Sequence, residues 1–164
     1  MKAQGGDTRL QKKRPRIAVG SDERTALTDS VQAHLKERGI ELELFGPLKG
    51  ESADWVQVGE QVGRRVASGV CDQGVLFCWT GTGVSIAANK VPGVRAALCQ
   101  DAETARGARR WNDANVLVMS LRSTPEAVAR EICDAWLETS PDPKEQPLID
   151  RVSAMDQIRA AGPA

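Results

Sequence analysis

The sequence contains one histidine, His34, no tyrosine, and no excess of charge of either sign. Its 22 Lys and Arg residues balance 22 Asp and Glu residues, so we do not expect the broad positive field that nucleic-acid or anionic-membrane binders use. The four cysteines include no CxxC pair, which argues against a disulfide scaffold and against a zinc site of the usual Cys/His type. We therefore predict no metal site. Any acid–base chemistry must rely mainly on groups other than histidine.

Long apolar runs are also missing from the chain. No stretch approaches the roughly 18–20 apolar residues of a membrane helix, and no signal-peptide pattern is evident. At roughly 100–200 residues per domain, 164 residues suit one globular unit with a real core. These features predict a soluble, cytoplasmic protein whose thiols stay reduced.

From residue 16 onward, short β-branched segments alternate with amphipathic segments. This alternation is typical of right-handed βαβ units, which build a parallel sheet covered by helices on both faces. The fold class is therefore α/β, a three-layer α/β/α domain around a five-stranded parallel sheet. The predicted strands are 16–20, 41–45, 74–78, 94–98 and 116–119, and the predicted helices are 25–38, 54–68, 85–90, 102–110, 125–138 and 148–159.

The same pattern divides the chain into three regions. Residues 1–15 are polar and basic and are predicted to be a disordered tail. Residues 16–140 form the α/β domain. After a Pro-rich break, residues 141–164 form a helical arm that packs on the domain or on a partner subunit.

The third predicted strand leads into the most informative loop, because ligands of open α/β sheets bind beyond the carboxyl ends of strands. This strand ends at Cys78, and the residues T-G-T-G follow at 80–83. The loop is neither a dinucleotide fingerprint, since Ile86 stands where a third glycine belongs, nor a Walker A loop. Gly81 and Gly83 suit backbone N–H groups that approach an oxyanion at a helix start, and they equally suit a plain tight turn.

Cys78 fits three roles by residue type alone: a nucleophile, a base, or a small buried hydrophobe. About 3% of an ordinary thiol, with a pKa near 8.5, is ionised at neutral pH. A catalytic role therefore requires a donor-rich site that stabilises the thiolate.

Taken together, five segments resemble the B-type ribose-5-phosphate isomerase and galactose-6-phosphate isomerase family, in one colinear order over residues 16–158. This resemblance implies a Rossmann-like five-stranded parallel sheet, a homodimer or higher homo-oligomer, and active sites shared across the dimer interface. It also implies a cofactor-free interconversion of aldose and ketose phosphates through a cis-enediolate. The segments are V-G-S-D-E (19–23), L-F-C-W-T-G-T-G-V-S-I-A-A-N-K (76–90), V-R-A-A-L-C-Q-D (94–101), T-A-R (104–106) and W-N-D-A-N-V-L (111–117).

The resemblance also implies roles for the residues that follow the third strand. Cys78 matches the base that moves a proton between C1 and C2, and Thr80 matches a neighbouring hydroxyl. The amides around Gly81 and Gly83 match the anion hole of the enediolate, where oriented donors stabilise charge as it develops.

Other matched positions are expected to bind substrate. Asp22 and Asn112 match polar contacts to the sugar. Arg122 and Arg151 match phosphate-binding arginines, whose forked donors suit a phosphate dianion. Glu23, beside Asp22 after the first strand, is assigned to the site as well.

Several positions depart from the family pattern. Glu23 replaces a usual histidine, Trp79 replaces a usual glycine, and Trp111 stands where the family has the histidine that opens the sugar ring. Near the C-terminus a usual Arg-His pair lines up with Pro147-Leu148, so half of the family's phosphate-binding site is missing. We assign Trp111 to the site, where lining the pocket and plain packing remain equal alternatives.

The remaining aromatic and thiol residues are predicted to be structural. Trp55 and Trp136 lie at helical core spacing, and Cys71, Cys99 and Cys133 are predicted to be buried. His34 lies on the first predicted helix, away from every strand end.

The sequence thus predicts an isomerase of a tetrose, pentose or hexose phosphate, without cofactor, and favours a four-carbon substrate that needs no ring opening. Loss of both pocket histidines keeps an alternative open: a catalytically impaired sugar-phosphate-binding protein, or a partner subunit of a hetero-oligomeric isomerase. A flavodoxin-type small-molecule domain fits less well, because nothing resembles a Ser/Thr-rich flavin phosphate loop.

Overall fold

Within residues 14–160, which the computed structural model describes, five parallel strands form the centre of the fold and helices cover both faces. The strands are β1 (Arg16–Ser21), β2 (Glu41–Phe45), β3 (Gln73–Cys78), β4 (Ala96–Leu98) and β5 (Val116–Ser120). The helices are α1 (Ala26–Glu37), α2 (Trp55–Ala67), α3 (Thr82–Asn89), α4 (Ala102–Asn112), α5 (Glu126–Glu138) and α6 (Gln146–Ala160), with short 3-10 helices at Gly46–Lys49 and Pro143–Glu145. The predicted three-layer α/β class and the five-stranded parallel sheet are confirmed.

The strand order β2-β1-β3-β5-β4 locates the part of the sheet that suits a ligand. The chain moves from β1 outward to β2 and then returns to the other side of β1 with β3. The order reverses between β1 and β3, and open α/β sheets bind their ligands in the crevice outside the carboxyl ends of the strands at such a switch point. Cys78 is the last residue of β3 and therefore lies at this crevice.

Two apolar clusters fill the spaces above and below the sheet. One joins the sheet to α1, α4 and α5 and includes the fully buried Trp136, and the other joins it to α2 and α3 and includes Cys78. Burying a Val, Leu, Ile or Phe side chain contributes roughly 1.5–3 kcal/mol, so both clusters hold the strand ends in fixed positions. The site therefore rests on a rigid sheet.

Helices α2 and α3 pack closely because Gly59 of α2 faces α3 and Gly63 faces Val91, just after the end of α3. A Cβ on Gly59 would lie 2.8 Å from the Ala87 Cβ, and a Cβ on Gly63 would lie 3.0 Å from Val91. One turn before Gly59, Trp55 begins the same face of α2. The close approach brings the first turn of α2 against the first turn of α3.

Several element boundaries differ from the prediction by one to three residues, and two of these differences have a clear physical reason. Helix α3 begins at Thr82 rather than residue 85, because Gly81 in the left-handed region turns the chain straight from strand to helix. Strand β4 is shorter than predicted, and the Asn89 side chain hydrogen-bonds both the N–H and the C=O of Ala96 at its start.

The C-terminal part of the described chain is helical, and α6 follows the 3-10 helix at Pro143–Glu145. Ile149 is buried, whereas Leu148, Val152 and Met155 expose at least half of their surface. Most of the predicted tail at 1–15 and the last four residues of the predicted arm lie outside the described residues. Among the residues described, no helix has the length and apolar character needed to cross a membrane.

Candidate active site

Cys78 ends β3 at the crevice and is the side chain that the sequence assigns as the base. It is 5% exposed and pairs with Ser120 of β5, while the neighbouring Phe77 pairs with Ser21 of β1. The thiol therefore lies where three strands end side by side. The side chain is buried, so little bulk water reaches the thiol.

The first turn of α3 follows Cys78 closely and has the features of an anion-binding position. Thr25, Asp54 and Asp101 cap α1, α2 and α4 with their side chains, whereas Gly81 at the start of α3 and Pro125 at the start of α5 offer no side-chain cap. The first N–H groups of a helix lack partners inside it, and the helix dipole favours negative charge there. The amides near Gly83 therefore suit a developing oxyanion.

Gly81 is required at this turn for two physical reasons. Its φ of 78° lies in the left-handed region, and a Cβ would lie 2.6 Å from Leu98 Cδ1 and 3.3 Å from the Met119 backbone. The hydroxyls of Thr80 and Thr82 flank it and share a hydrogen bond of 2.7 Å. The turn thus combines a tight backbone with two hydroxyl groups beside Cys78.

Replacing Gly81 with alanine is expected to lower the free energy of unfolding by about 2–4 kcal/mol, from left-handed strain plus overpacking. Gly39→Ala is the matched control, since Gly39 has the same φ of 78° but nothing within 4 Å of a Cβ. That variant should lose only about 1 kcal/mol from strain. Urea denaturation of both variants measures the difference, and equal losses would show that the Leu98 contact is unimportant.

Three hydrogen bonds hold the loop after β5 against the loop after β3, and a fourth lies within the loop after β5. The N–H of Leu121 donates to the Cys78 carbonyl at 3.0 Å, and the N–H of Arg122 donates to the Trp79 carbonyl at 2.9 Å. The Ser120 hydroxyl also donates to the Trp79 carbonyl and accepts from the N–H of Ser123. These bonds bring Arg122, with an exposed side chain, beside the Cys78 loop.

Asp22 follows β1 on the other side of Cys78. The pKa of Asp22 is raised because its carboxyl is partly buried, and because the charges of Glu23 and Asp54 lie near it, while a hydrogen bond to its own backbone N–H opposes the rise. Ser21 fixes this loop, since its hydroxyl donates to the Glu23 carbonyl and accepts from the Glu23 N–H. A carboxyl that retains a proton more readily is suited to hydrogen-bond sugar oxygens.

Trp111, Asn112 and Arg151 lie at the opposite edge of the sheet within one chain. Helix α4 begins after β4 at the carboxyl edge and ends at Asn112, and its 11 residues span about 16 Å. Trp111 and Asn112 line a groove of roughly 480 Å³ between the β4 edge, the end of α4 and α6. Arg151 is exposed on α6, between the groove-lining Leu148 and Val152.

The end of α4 is held rigidly by ion pairs to Asp113. Asp113 adopts a left-handed φ of 42° and contacts Arg109 at 3.0 Å and Arg95 at 3.2 Å. Arg109 also lies over the Trp136 ring. Trp111 and Asn112 therefore have a fixed position, although that position is not near Cys78 of the same chain.

A comparison with protein families matches residues 17–154 to the model described as Ribose/Galactose Isomerase. The chain belongs to this isomerase family. The resemblance inferred from the sequence motifs is confirmed.

Individual family members agree in sequence and in fold. The chain is 38% identical to ribose-5-phosphate isomerase B of Escherichia coli K12 over 146 residues, covering 88% of this chain and 98% of that protein. It is 33% identical over 124 residues to the D-erythrulose-4-phosphate isomerase of Pectobacterium atrosepticum, covering 74% of this chain and 82% of that protein. The solved structure of Clostridium thermocellum ribose-5-phosphate isomerase B superposes with a TM-score of 0.82 at 37% identity, covering 88% of this chain and 99% of that protein.

In this isomerase the remaining cysteines and His34 have structural positions, as predicted. Burial raises the pKa of Cys71 to about 11 and those of Cys99 and Cys133 to about 12. His34 Nε2 lies 2.8 Å from the Asp134 carboxylate, where α1 meets α5. These groups lie outside the Cys78 crevice.

One prediction about the isomerase was wrong, because Trp55 does not belong to the core. It is 42% exposed, and its ring carbons lie 3.1 Å from where a Gly83 Cβ would be. A sequence signal was present: Trp55, Gly59 and Gly63 recur every four residues, so they form one helix face, distinct from the Val58, Val62 and Val66 stripe. That face packs on α3 rather than on the sheet.

Proposed function

We propose that this isomerase interconverts an open-chain four-carbon aldose phosphate and its ketose through a cis-enediolate, with Cys78 as the base. The observation that carries the proposal is the position of the Cys78 thiol directly before the α3 turn, which has no side-chain cap at Gly81. The thiol and the anion-binding amides thus face the same crevice. A base paired with preorganised donors is what the enolisation of a sugar requires.

The proposed proton path begins when the Cys78 thiolate takes the proton from C2 of the aldose. The C–H electron pair forms the C1=C2 bond, and the carbonyl oxygen O1 becomes the enediolate oxygen held by amides of the α3 turn. The hydroxyl proton of O2 then passes to O1 by way of the Thr80 hydroxyl. As the C2 carbonyl forms, C1 takes the proton from the Cys78 thiol, so the product is the ketose and the thiolate is regenerated.

The size of the proposed substrate follows from what stands in the ring-opening position. Trp111 has no group that could transfer a proton to a ring oxygen, so a substrate that is already open-chain suits this site. A tetrose 4-phosphate cannot close a furanose ring because its O4 carries the phosphate. The similarity to a protein named D-erythrulose-4-phosphate isomerase supports this size.

A second copy of the chain is proposed to complete each active site. Arg122 lies beside the Cys78 loop, whereas Trp111, Asn112 and Arg151 lie about one α4 length away, a distance that a small sugar phosphate does not span. Because a two-fold dimer contributes the same surfaces twice, the far edge of one chain can meet the crevice of the other. Two complete sites then form per dimer.

The apolar surface of α6 supports this assembly. Leu148, Val152 and Met155 lie on one face of α6 and are largely exposed in the single chain. Contiguous apolar surface of this kind is typical of interaction sites. A copy bound there would cover the face that also carries Arg151.

The experiment that tests the proposed function is a panel of aldose phosphates with four, five and six carbons, together with unphosphorylated sugars. We expect kcat/KM for erythrose 4-phosphate to exceed that for ribose 5-phosphate by about 10²-fold, because a missing general acid costs roughly that factor for a ring-closed substrate. Coupled assays for the ketose products measure both values. A preference for ribose 5-phosphate would contradict the four-carbon assignment.

Solvent exchange tests the chemistry separately from the substrate. The purified protein in deuterated water is expected to exchange C2–H of its substrate and to release ketose. Exchange that disappears in Cys78→Ala supports the proposed base. Binding of sugar phosphates without exchange would favour the alternative, a sugar-phosphate-binding protein or an inactive partner subunit.

A further inference from the structure

We propose that Trp55 is a positioning residue that keeps bulk water away from the proton on Cys78 while the enediolate exists. The inference rests on the proposed function and adds a role for a residue that the family resemblance did not assign. Trp55 begins α2, directly after the N-cap Asp54, and packs against Gly83 in the first turn of α3. It therefore borders the turn that is proposed to bind the enediolate.

The contact between Trp55 and Gly83 is close and specific. A Cβ on Gly83 would lie 3.1 Å from both Trp55 Cδ2 and Cε3, so the indole plane covers the α-carbon of the residue whose amide is proposed to bind the enediolate. The α2 start is itself held near β1, since a Cβ on Gly46 would lie 2.8 Å from the Ser21 carbonyl and 3.5 Å from the Ala53 Cβ. The residues just before α2 therefore lie near the end of β1, and the Trp55 ring lies against the first turn of α3.

The surroundings of Trp55 explain why a large apolar ring is useful there. Asp22, Glu23 and Asp54 place carboxyl groups at this side of the crevice, and such groups attract water. Exclusion of water from a closed site strengthens the electrostatic interactions inside it and prevents side reactions. Trp55 supplies the apolar wall between these hydrated carboxylates and Gly83.

This wall has a chemical consequence for the migrating proton. After proton removal, Cys78 holds as a thiol the hydrogen that came from C2. That hydrogen either returns to C1 or exchanges with water before the enediolate collapses. Limiting water near Gly83 and Cys78 favours return over exchange, so part of a C2 label should reach C1 of the product.

The test uses erythrose 4-phosphate deuterated at C2, with NMR or mass spectrometry of the ketose to measure the label at C1. Wild-type protein is expected to transfer a measurable fraction of the deuterium. Trp55→Ala should lower that fraction by about threefold or more and lower kcat with little change in KM. Trp55→Phe should retain most of the transfer, because a ring still covers Gly83.

Two further variants separate shielding from general damage. Val56→Ala removes an exposed apolar group from the next position of α2, outside the proposed site, and should leave label transfer unchanged. Gly83→Ala forces the Trp55 ring outward by a few tenths of an ångström and should lower transfer less than Trp55→Ala. In the Trp55→Ala background the same Gly83 change should have no further effect on transfer, since the ring it displaces is gone.

The outcomes separate this inference from the proposed function. Wild-type isomerisation with complete wash-out of the label, or a Trp55→Ala variant that transfers the wild-type fraction, overturns the inference and leaves the isomerase assignment standing. Absence of both isomerisation and exchange in the wild type overturns the proposed function itself. A folded Trp55→Ala variant is confirmed beforehand by its thermal unfolding profile.

Discussion

Cys78→Ala is expected to lower kcat by about 10³–10⁴-fold with little change in KM, because general acid–base catalysis of this kind contributes up to about 10⁴-fold. The thiol is the proposed base, and its position at the end of β3 brings it to the switch point next to the α3 turn. Alanine leaves the oriented amides near Gly83 in place, so substrate and enediolate analogues should still bind. Steady-state kinetics with erythrose 4-phosphate measures the change.

The matched control for this prediction is Cys99→Ala. Cys99 follows β4 at the same edge of the sheet but belongs to the apolar cluster on the other face, and burial, with a smaller effect of the Asp101 charge, raises its pKa to about 12. It therefore remains a neutral thiol and should be dispensable for catalysis. Cys78→Ser tests the chemistry further, since a hydroxyl of similar size stays protonated and should not restore the rate. A Cys78→Ala variant with near-normal kcat would show that another group moves the proton.

Cys78, Asp22 and Arg122 could be located from the sequence because strand ends are a local property. Each lies at or just after the end of a short predicted strand, and in a parallel sheet all such ends meet at one edge. Alternation of strands and helices was enough to predict that geometry without knowing the strand order. The side-by-side pairing of β3 with β5 could not be predicted from a local pattern. In the structure this pairing continues into the hydrogen bonds from Leu121 and Arg122 to the Cys78 loop.

Trp55 and Trp111 show where sequence reasoning failed or stopped. A tryptophan at helical spacing predicts burial, but Trp55 lies on the α2 face that meets α3, and the burial of that face depends on the packing of two helices rather than on the period of one. Trp111 was assigned to the site through the family motif, yet the last turn of α4 places it at the far edge of its own chain. Local patterns do not say whether two half-sites, here the Cys78 crevice and the edge that carries Trp111 and Arg151, meet within one chain or between two chains.

A mixing experiment with two inactive variants decides how the half-sites meet. Arg151→Ala is expected to lower kcat/KM by about 10²-fold or more through loss of a charge-assisted bond to the phosphate. When Cys78→Ala and Arg151→Ala proteins are dissociated together and reassociated, random pairing makes half of the dimers mixed. Each mixed dimer has one active site with both residues intact and one active site with neither. Because half of the dimers are mixed and half of their active sites are intact, activity should recover to about one quarter of the wild-type value.

The matched control mixes Cys78→Ala with Asp22→Asn, two variants of the same crevice. Asp22 and Cys78 follow neighbouring strands β1 and β3 of one chain, so every centre in a mixed dimer carries one of the two defects and no activity should return. Because Arg151 lies on α6, at the other edge of the sheet, only its pairing with Cys78→Ala restores a whole centre. Recovery in neither mixture would mean that Arg151 acts on the crevice of its own chain, or not at all. Size-exclusion chromatography of the reassociated samples shows that mixed assemblies have formed before the rates are compared.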